Sequence, residues 1–550
     1  MKRIKSLIVA VMLFCCMVPA SACGGKGDTI IADPNTINIK VYKGGYNSEY
    51  IYALKEKFEA LYAEEGYKVN ILTPQRAIKG VAILQEIYAD SKVDMYFANE
   101  VSMEQGVNGE YGLCLTNITQ SVYNAKPIRF DGTEEDILIK DKLKPTSSFD
   151  ITASDGEYYG LPYVEGMGGM VFNKKILTEE YGMDTPRTTD ELFECYAAIM
   201  EKAADTGVYP FTYISGANNY PAHMSNLWLA QYGGKEYYDQ FWTMNNADGT
   251  PMKTDGFTVF ENEAVEVMLR ALYEAFDYQA AAFGSMTQDL ATAQAQIMRG
   301  TAVFMSAGDY FFHEEALSFT DELNDISFMN TPVISELGEK LFGPQSSYAL
   351  TEEKADDVLS EIVRLADENK SVDEIVGAVN ASMSLSLNRN DVLRVAEARG
   401  YTYNRTNSHV AFISNKSEKK DICELFLRMC ASDDGARLIA EKTYASNPFT
   451  GSVYSDSEYE FLREADRVAN NIYKTVLNAE ARGYRAEIGL SEIFPQTGTY
   501  LQNEIVNDQK TIYNDYGEVV GSKSVYDQAA SDRANLIVSH ARDNWDKWAV

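Results

Sequence analysis

The chain has 550 residues, 45% apolar and 24% charged, an ordinary globular composition at a length that calls for two or more lobes rather than one compact domain. Its 81 acidic residues against 49 basic ones give a formal net charge of −32. That excess argues against nucleic acid as a partner and against polyanions gathered by long-range attraction, since both need a basic face.

Residues 1–23 read MKRIKSLIVAVMLFCCMVPASAC. Lys2, Arg3 and Lys5 precede an apolar run from Leu7 to Val18, about a dozen residues and too short to span a bilayer comfortably. Ala20-Ser21-Ala22 followed by Cys23 resembles a bacterial lipobox, which implies that residues 1–22 are removed and that Cys23 is lipidated. Residues 23–36 then form a tether from a body held at the outer face of the cell membrane. Processing removes three cations and no acids, so the mature chain is more acidic still.

Seven cysteines fall to five on processing, with Cys114, Cys195, Cys423 and Cys430 in the body. Cys423 and Cys430, in ICELFLRMC, share one helical face and read as buried thiols rather than a bridge. There is no CxxC and no Cys/His cluster, so neither a metal site nor a cofactor is expected. A large core must replace a disulfide framework.

Ile37–Val41 alternates like a strand and ends in Gly44-Gly45-Tyr46. Ile51, Leu54, Phe58 and Leu61 recur at helical spacing, Lys68–Leu72 is a second strand, residues 77–89 a second helix and Val93–Ala98 a third strand. The βαβαβ order predicts a mostly parallel sheet with ligand-facing loops beyond its carboxyl ends, at Tyr46 and at Asn99-Glu100. Gly44-Gly45 is not part of a GxGxxG motif, so a dinucleotide site is poorly supported.

Gly160-Leu161-Pro162-Tyr163 leads into Val171-Phe172-Asn173-Lys174-Lys175, then Gly182, Pro186, Thr188 and Asp190-Glu191-Leu192. Further on stand the helix-to-strand passage from Ala295 to Tyr310, with Gly308-Asp309-Tyr310 at its end, and His409–Ser414 followed by Ser417-Glu418-Lys419. In this order the motifs resemble family 1 extracellular solute-binding proteins of sugar ABC transporters, relatives of the maltose and maltodextrin binders. Thr189 and Tyr310 stand where that family usually has Trp.

The resemblance implies an α/β, two-lobed periplasmic-binding-protein fold (type II-like), with solute clamped between the lobes. It places lobe 1 at 37–158 and 302–333, and lobe 2 at 160–300 and 334–550, with crossings near 158–161, 301–306 and 330–335. Two stretches depart from the pattern. A helical insertion is expected at 350–405, where Val358, Leu359, Ile362, Val363 and Leu365 keep helical spacing, and a helical tail at 455–550, from Glu458–Ala481 and Val525–Trp548. Both are expected to pack on lobe 2.

A sugar offers hydroxyls to polar side chains and a C–H face to aromatic rings. The candidate ligand residues are therefore Tyr46, Asn99, Glu100, Tyr163, Glu165, Tyr213, Asn218, Asn219, Asp309, Tyr310 and Phe449. Glu165 matches the position at which the maltodextrin binders place a ligand carboxylate. The expected role is solute capture by a monomeric, lipid-anchored receptor that delivers to an ABC permease, with no catalytic residues. No GxSxG or HExxH occurs, and the only histidines are His223, His313, His409 and His540. Two alternatives stay open: a peptide or polyamine in the same fold, and an exported glycan-active enzyme.

Overall fold

The computed structural model describes residues 29–42, 46, 48–73, 80–99, 101–147, 151–214, 220–253, 255–277, 279–285, 287–316, 319, 322–403, 409–477 and 524–548. The expected leader, Cys23 and most of the expected tether lie outside the described residues, as do Glu100, Asn218 and Asn219. Among the described residues no helix is long and apolar enough to cross a membrane.

The strands in chain order are β1 (Thr36–Val41), β2 (Lys68–Leu72), β3 (Met95–Ala98), β4 (Leu161–Pro162), β5 (Gly168–Asn173), β6 (Tyr209–Phe211), β7 (Ala302–Gly308), β8 (Ile326–Met329), β9 (Tyr401–Thr402), β10 (Val410–Ile413) and β11 (Thr475–Val476). One sheet has the order β2-β1-β3-β10-β4, another β6-β7-β5-β8, and a small third pairs β11 with β9. Each larger sheet founds a lobe.

In lobe 1, β1 lies parallel between β2 and β3, as the βαβαβ pattern requires. Its apolar residues Ile37, Ile39 and Val41 are buried, and helix Glu49–Leu61 covers the sheet with Tyr50, Ile51, Leu54 and Phe58. The sheet is completed from far along the chain. β10 runs antiparallel to both β3 and β4, and helices Lys420–Cys430 and Asp433–Thr443 follow it into the same core. Cys423 and Cys430 are buried free thiols there.

Lobe 2 centres on β5, which pairs antiparallel with β7 on one side and β8 on the other, while β6 lies parallel to β7. The three helices of the insertion, Glu352–Asp367, Val372–Met383 and Arg389–Arg399, bury Leu359, Ile362, Val363, Val379, Val392 and Val395 in this lobe's core. Helix Ser524–Trp548 joins it, with Trp545 donating from its indole N–H to the Lys253 carbonyl at 2.8 Å.

Two expected lobe boundaries need correction. Residues 302–333 belong to lobe 2, because β7 is an interior strand paired with β5 from Gly168–Gly308 to Phe172–Phe304, and β8 is the edge beyond β5. Residues 410–449 belong to lobe 1, because β10 inserts between β3 and β4. The crossings accordingly fall at 163–167, between Tyr403 of lobe 2 and Val410 of lobe 1, and at 450–453, rather than at 158–161, 301–306 and 330–335. The expected helix 458–481 is also shorter. Helix Glu460–Arg467 continues through a wider turn to Ile472, and the chain then turns extended. There it gains backbone partners, Lys474 N–H to the Gly400 carbonyl and Leu477 N–H to that of Thr402.

Candidate functional site

The carboxyl ends of β1 and β7 face each other across the seam between the lobes. Asp309 directly follows β7 and is fully buried. Its Oδ1 accepts from the Tyr46 hydroxyl at 2.9 Å and from the Met167 N–H at 3.2 Å, and its Oδ2 accepts from the Ser446 N–H at 3.0 Å. One carboxylate thus ties the end of the lobe 2 sheet to the loop after β1, to the first crossing and to the segment leading into the third. Burial pushes the Asp309 carboxyl up to about 6, against the lowering pull of these three donors, and the nearby Glu165 adds to the rise.

The backbone at this junction leaves no room for side chains. A Cβ on Gly308 would lie 2.8 Å from the Met167 carbonyl oxygen, and one on Gly168 would lie 2.6 Å from that of Tyr403. Glycine at both positions lets β5 begin and β7 end flush against the crossings.

Behind Tyr46 stands an aromatic cluster. The His409 ring, 5.0 Å from that of Tyr46 and 5.8 Å from that of Tyr163, sits edge-on to both, and Nδ1 lies 3.1 Å from the Tyr163 hydroxyl. Tyr163 in turn stacks on Tyr50 at 5.4 Å and meets Phe97 at 5.0 Å. Burial holds His409 down at about 3, so the ring is neutral at physiological pH.

Glu165 lies in the first crossing, where its N–H donates to the Ser446 carbonyl at 2.8 Å. Its carboxylate is buried, one oxygen taken by the Thr146 hydroxyl and the other 3.3 Å from the Lys144 ammonium, also buried. Ser446 therefore connects the two seam carboxylates, accepting at its carbonyl from Glu165 and donating its N–H to Asp309.

The remaining candidates divide by burial. Asn99 and Tyr310 are half-buried, Tyr310 packing against the cores of both lobes. Tyr163 belongs to the lobe 1 core, and so does Phe449, whose ring lies 5.7 Å from the Lys142 ammonium. Tyr213 is packed in lobe 2 against Phe211 and Phe276. These three rings are buried in the lobe cores rather than open at the seam. Met167, Ser446, His409, Lys144 and Thr146 were not among the expected residues. His409 opens the HVAFIS motif and signalled nothing until β10 brought it beside Tyr163.

Chemically, the seam is built to hold two lobes together. Both oxygens of Asp309 and both of Glu165 are occupied by protein donors, so neither carboxylate is presented to a reacting group. Among the described residues no group of three or more metal-ligating side chains could hold an ion.

Comparison with known proteins agrees with this architecture. Residues 129–313 match the family model of the bacterial extracellular solute-binding proteins. An uncharacterized ABC transporter extracellular-binding protein of Pyrococcus horikoshii is 25% identical over 252 residues, 44% of this chain and 52% of the relative, so the chain spans about half the length of that curated protein. Among solved structures, a probable secreted solute-binding lipoprotein from Streptomyces coelicolor superposes with a TM-score of 0.52 at 12% identity, covering 92% of this chain and 99% of the other. The protein RafE in complex with raffinose gives 0.52 at 12% identity over 91% and 99%. A chitin oligosaccharide binding protein gives 0.51 at 14% over 90% and 99%. The central third of the chain is thus similar to the bacterial extracellular solute-binding proteins, and the fold around it is shared with the solved structures named above.

Proposed function

We propose that this protein is the extracytoplasmic receptor of an ABC importer, capturing a carbohydrate of oligosaccharide size between its lobes and handing it to a membrane permease. It works as a monomer, lipidated at Cys23 and held at the outer face of the cell membrane, and it does no chemistry on the solute. The observation that carries the reading is the Asp309 node, where one buried carboxylate joins both lobes and two approaches to the crossings. Such a contact forms only when the lobes are together, so it adds to closure, and a solute bound to both lobes shifts the population the same way. Asn99 and Tyr310, half-buried on the two sides of the seam, are the described candidates for solute contact, the first offering an amide to hydroxyls and the second a ring to a C–H face. The raffinose and chitin oligosaccharide named for two structural neighbours favour a sugar as the solute.

Thermal unfolding of the purified chain against raffinose, chito-oligosaccharides, malto-oligosaccharides, spermidine and short peptides tests this. A sugar at a hundred times its Kd adds about 2.7 kcal/mol. A shift with spermidine or peptides and none with any sugar overturns the carbohydrate reading; turnover of a bound sugar overturns the binding-only reading.

A further inference from the structure

The insertion and the segment after the third crossing, the two parts that depart from the family pattern, meet on the outer side of lobe 2 and enclose a cavity of about 530 Å³ at the β8 edge. One wall is the sheet, with Phe172, Phe328 and Met329; the others are the insertion helix Glu352–Asp367 and helix Glu460–Arg467. The volume suits a small molecule.

In a chain of net charge −32, this cavity is lined by five cations and three carboxylates. Four of the cations are already engaged. Arg399 is held by both oxygens of Asp367 at 2.8 and 2.7 Å, Arg364 by Glu361 and Glu368, Arg467 by Glu464 at 2.8 Å and Lys174 by Glu460. The fifth, Arg187, makes no ion pair and no side-chain hydrogen bond among the described residues; Glu361 feels its charge only through space. A second group is also unmet. Asn330 is 1% exposed and lines the cavity; its amide nitrogen donates to the Arg399 carbonyl at 2.8 Å, which fixes the amide's orientation, and its Oδ1 accepts from nothing. A buried acceptor without a donor is costly, and an unpaired guanidinium lining the same cavity calls for an anion.

We propose that this lobe 2 cavity is a second ligand site, separate from the inter-lobe seam, for a small hydroxylated anion such as a sugar acid or a sugar phosphate. Arg187 takes the carboxylate or phosphate, a ligand hydroxyl donates to Asn330 Oδ1, and the ring lies against Phe172 and Phe328. Occupancy braces the insertion against the sheet. The site is independent of what the seam binds.

Isothermal titration of the full chain with glucuronate, glucose 6-phosphate, inorganic phosphate and glucose tests the proposal. Saturable binding of glucuronate or glucose 6-phosphate is expected, the stronger of the two identifying which anion the site takes. Glucose should not bind there, and inorganic phosphate should bind at least tenfold more weakly, lacking a ring for the apolar wall. Arg187→Gln breaks no ion pair and should weaken the bound anion roughly tenfold to a hundredfold, the worth of a charge-assisted contact. Raising the salt concentration should weaken it as well. The seam variant Tyr46→Phe should leave this affinity unchanged. The proposal is overturned if neither sugar anion binds, if glucose or inorganic phosphate binds as tightly, if Arg187→Gln leaves the affinity intact, or if Tyr46→Phe weakens binding and so assigns it to the seam.

Discussion

The seam between the lobes and the outer cavity of lobe 2 are both built from charged groups, yet they are finished differently. At the seam, Asp309 and Glu165 have every oxygen taken by protein donors. In the outer cavity Arg187 and Asn330 Oδ1 are left over. Satisfied polar networks rigidify and specify one arrangement, whereas unsatisfied ones invite a ligand. The seam is a latch between the lobes, and the outer cavity is a socket.

The largest effect should come where the socket's own frame is broken. Arg399→Ala removes a buried guanidinium and leaves the half-buried Asp367 without its bidentate partner, and should cost up to about 3–5 kcal/mol by urea unfolding, the range for broken buried pairs. Arg187→Gln, in the same cavity, should stay within about 0.5 kcal/mol of wild type, because it breaks no ion pair and no side-chain hydrogen bond among the described residues. Equal losses from the two would erase the distinction between frame and socket.

At the seam, Asp309→Ala strands three donors, each worth about 1–3 kcal/mol when left unsatisfied. The gain from no longer burying a charge offsets part of that loss at neutral pH. The net destabilisation at pH 7 should be about 1–3 kcal/mol, and it should be larger at pH 5, where wild-type Asp309 is protonated and carries no charge penalty.

The pH profile separates the seam's two titrating groups. The Asp309 carboxyl is raised to about 6, so its contribution to stability is fully present below its unfolded value near 4 and is lost as pH rises through 6, a swing of about 3 kcal/mol. His409 has the opposite sign. Lowered to about 3, it contributes stability that is present above about 6.5 and is lost as pH falls toward 3. Melting temperatures of wild type and Asp309→Asn between pH 4 and 8 should therefore diverge in slope mainly between pH 4 and 6.5. Parallel curves would mean that Asp309 is not buried as a charge.

Tyr46→Phe should be the mildest change at the seam, about 1 kcal/mol, because Asp309 keeps its two backbone donors. Its effect should appear as easier opening of the lobes more than as a lower melting temperature.

Local pattern in the sequence was enough for the elements. INIKV and the Ile51–Phe58 spacing became β1 and its covering helix, the insertion helices matched their apolar periodicity, and the two-lobed fold followed from ordered motifs. What local pattern could not supply was strand partnership. AVFMSAG and VAFI both read as buried strands, and nothing in either run says which sheet receives it, so residues 302–333 and 410–449 were assigned to each other's lobes. The same limit explains the site. Asp309 and Tyr46 were identifiable as strand-end residues, but their contact spans 263 positions in sequence, and the Met167 and Ser446 donors are backbone groups that side-chain chemistry does not reveal.

The most direct test of the account is small-angle scattering of the purified chain titrated with raffinose, chito-oligosaccharides and malto-oligosaccharides. The account predicts that at least one of these sugars lowers the radius of gyration saturably as the lobes close on it, and that Tyr46→Phe shifts the midpoint to higher sugar concentration. A radius of gyration unmoved by every sugar, with closure driven instead by a peptide or a polyamine, would contradict it.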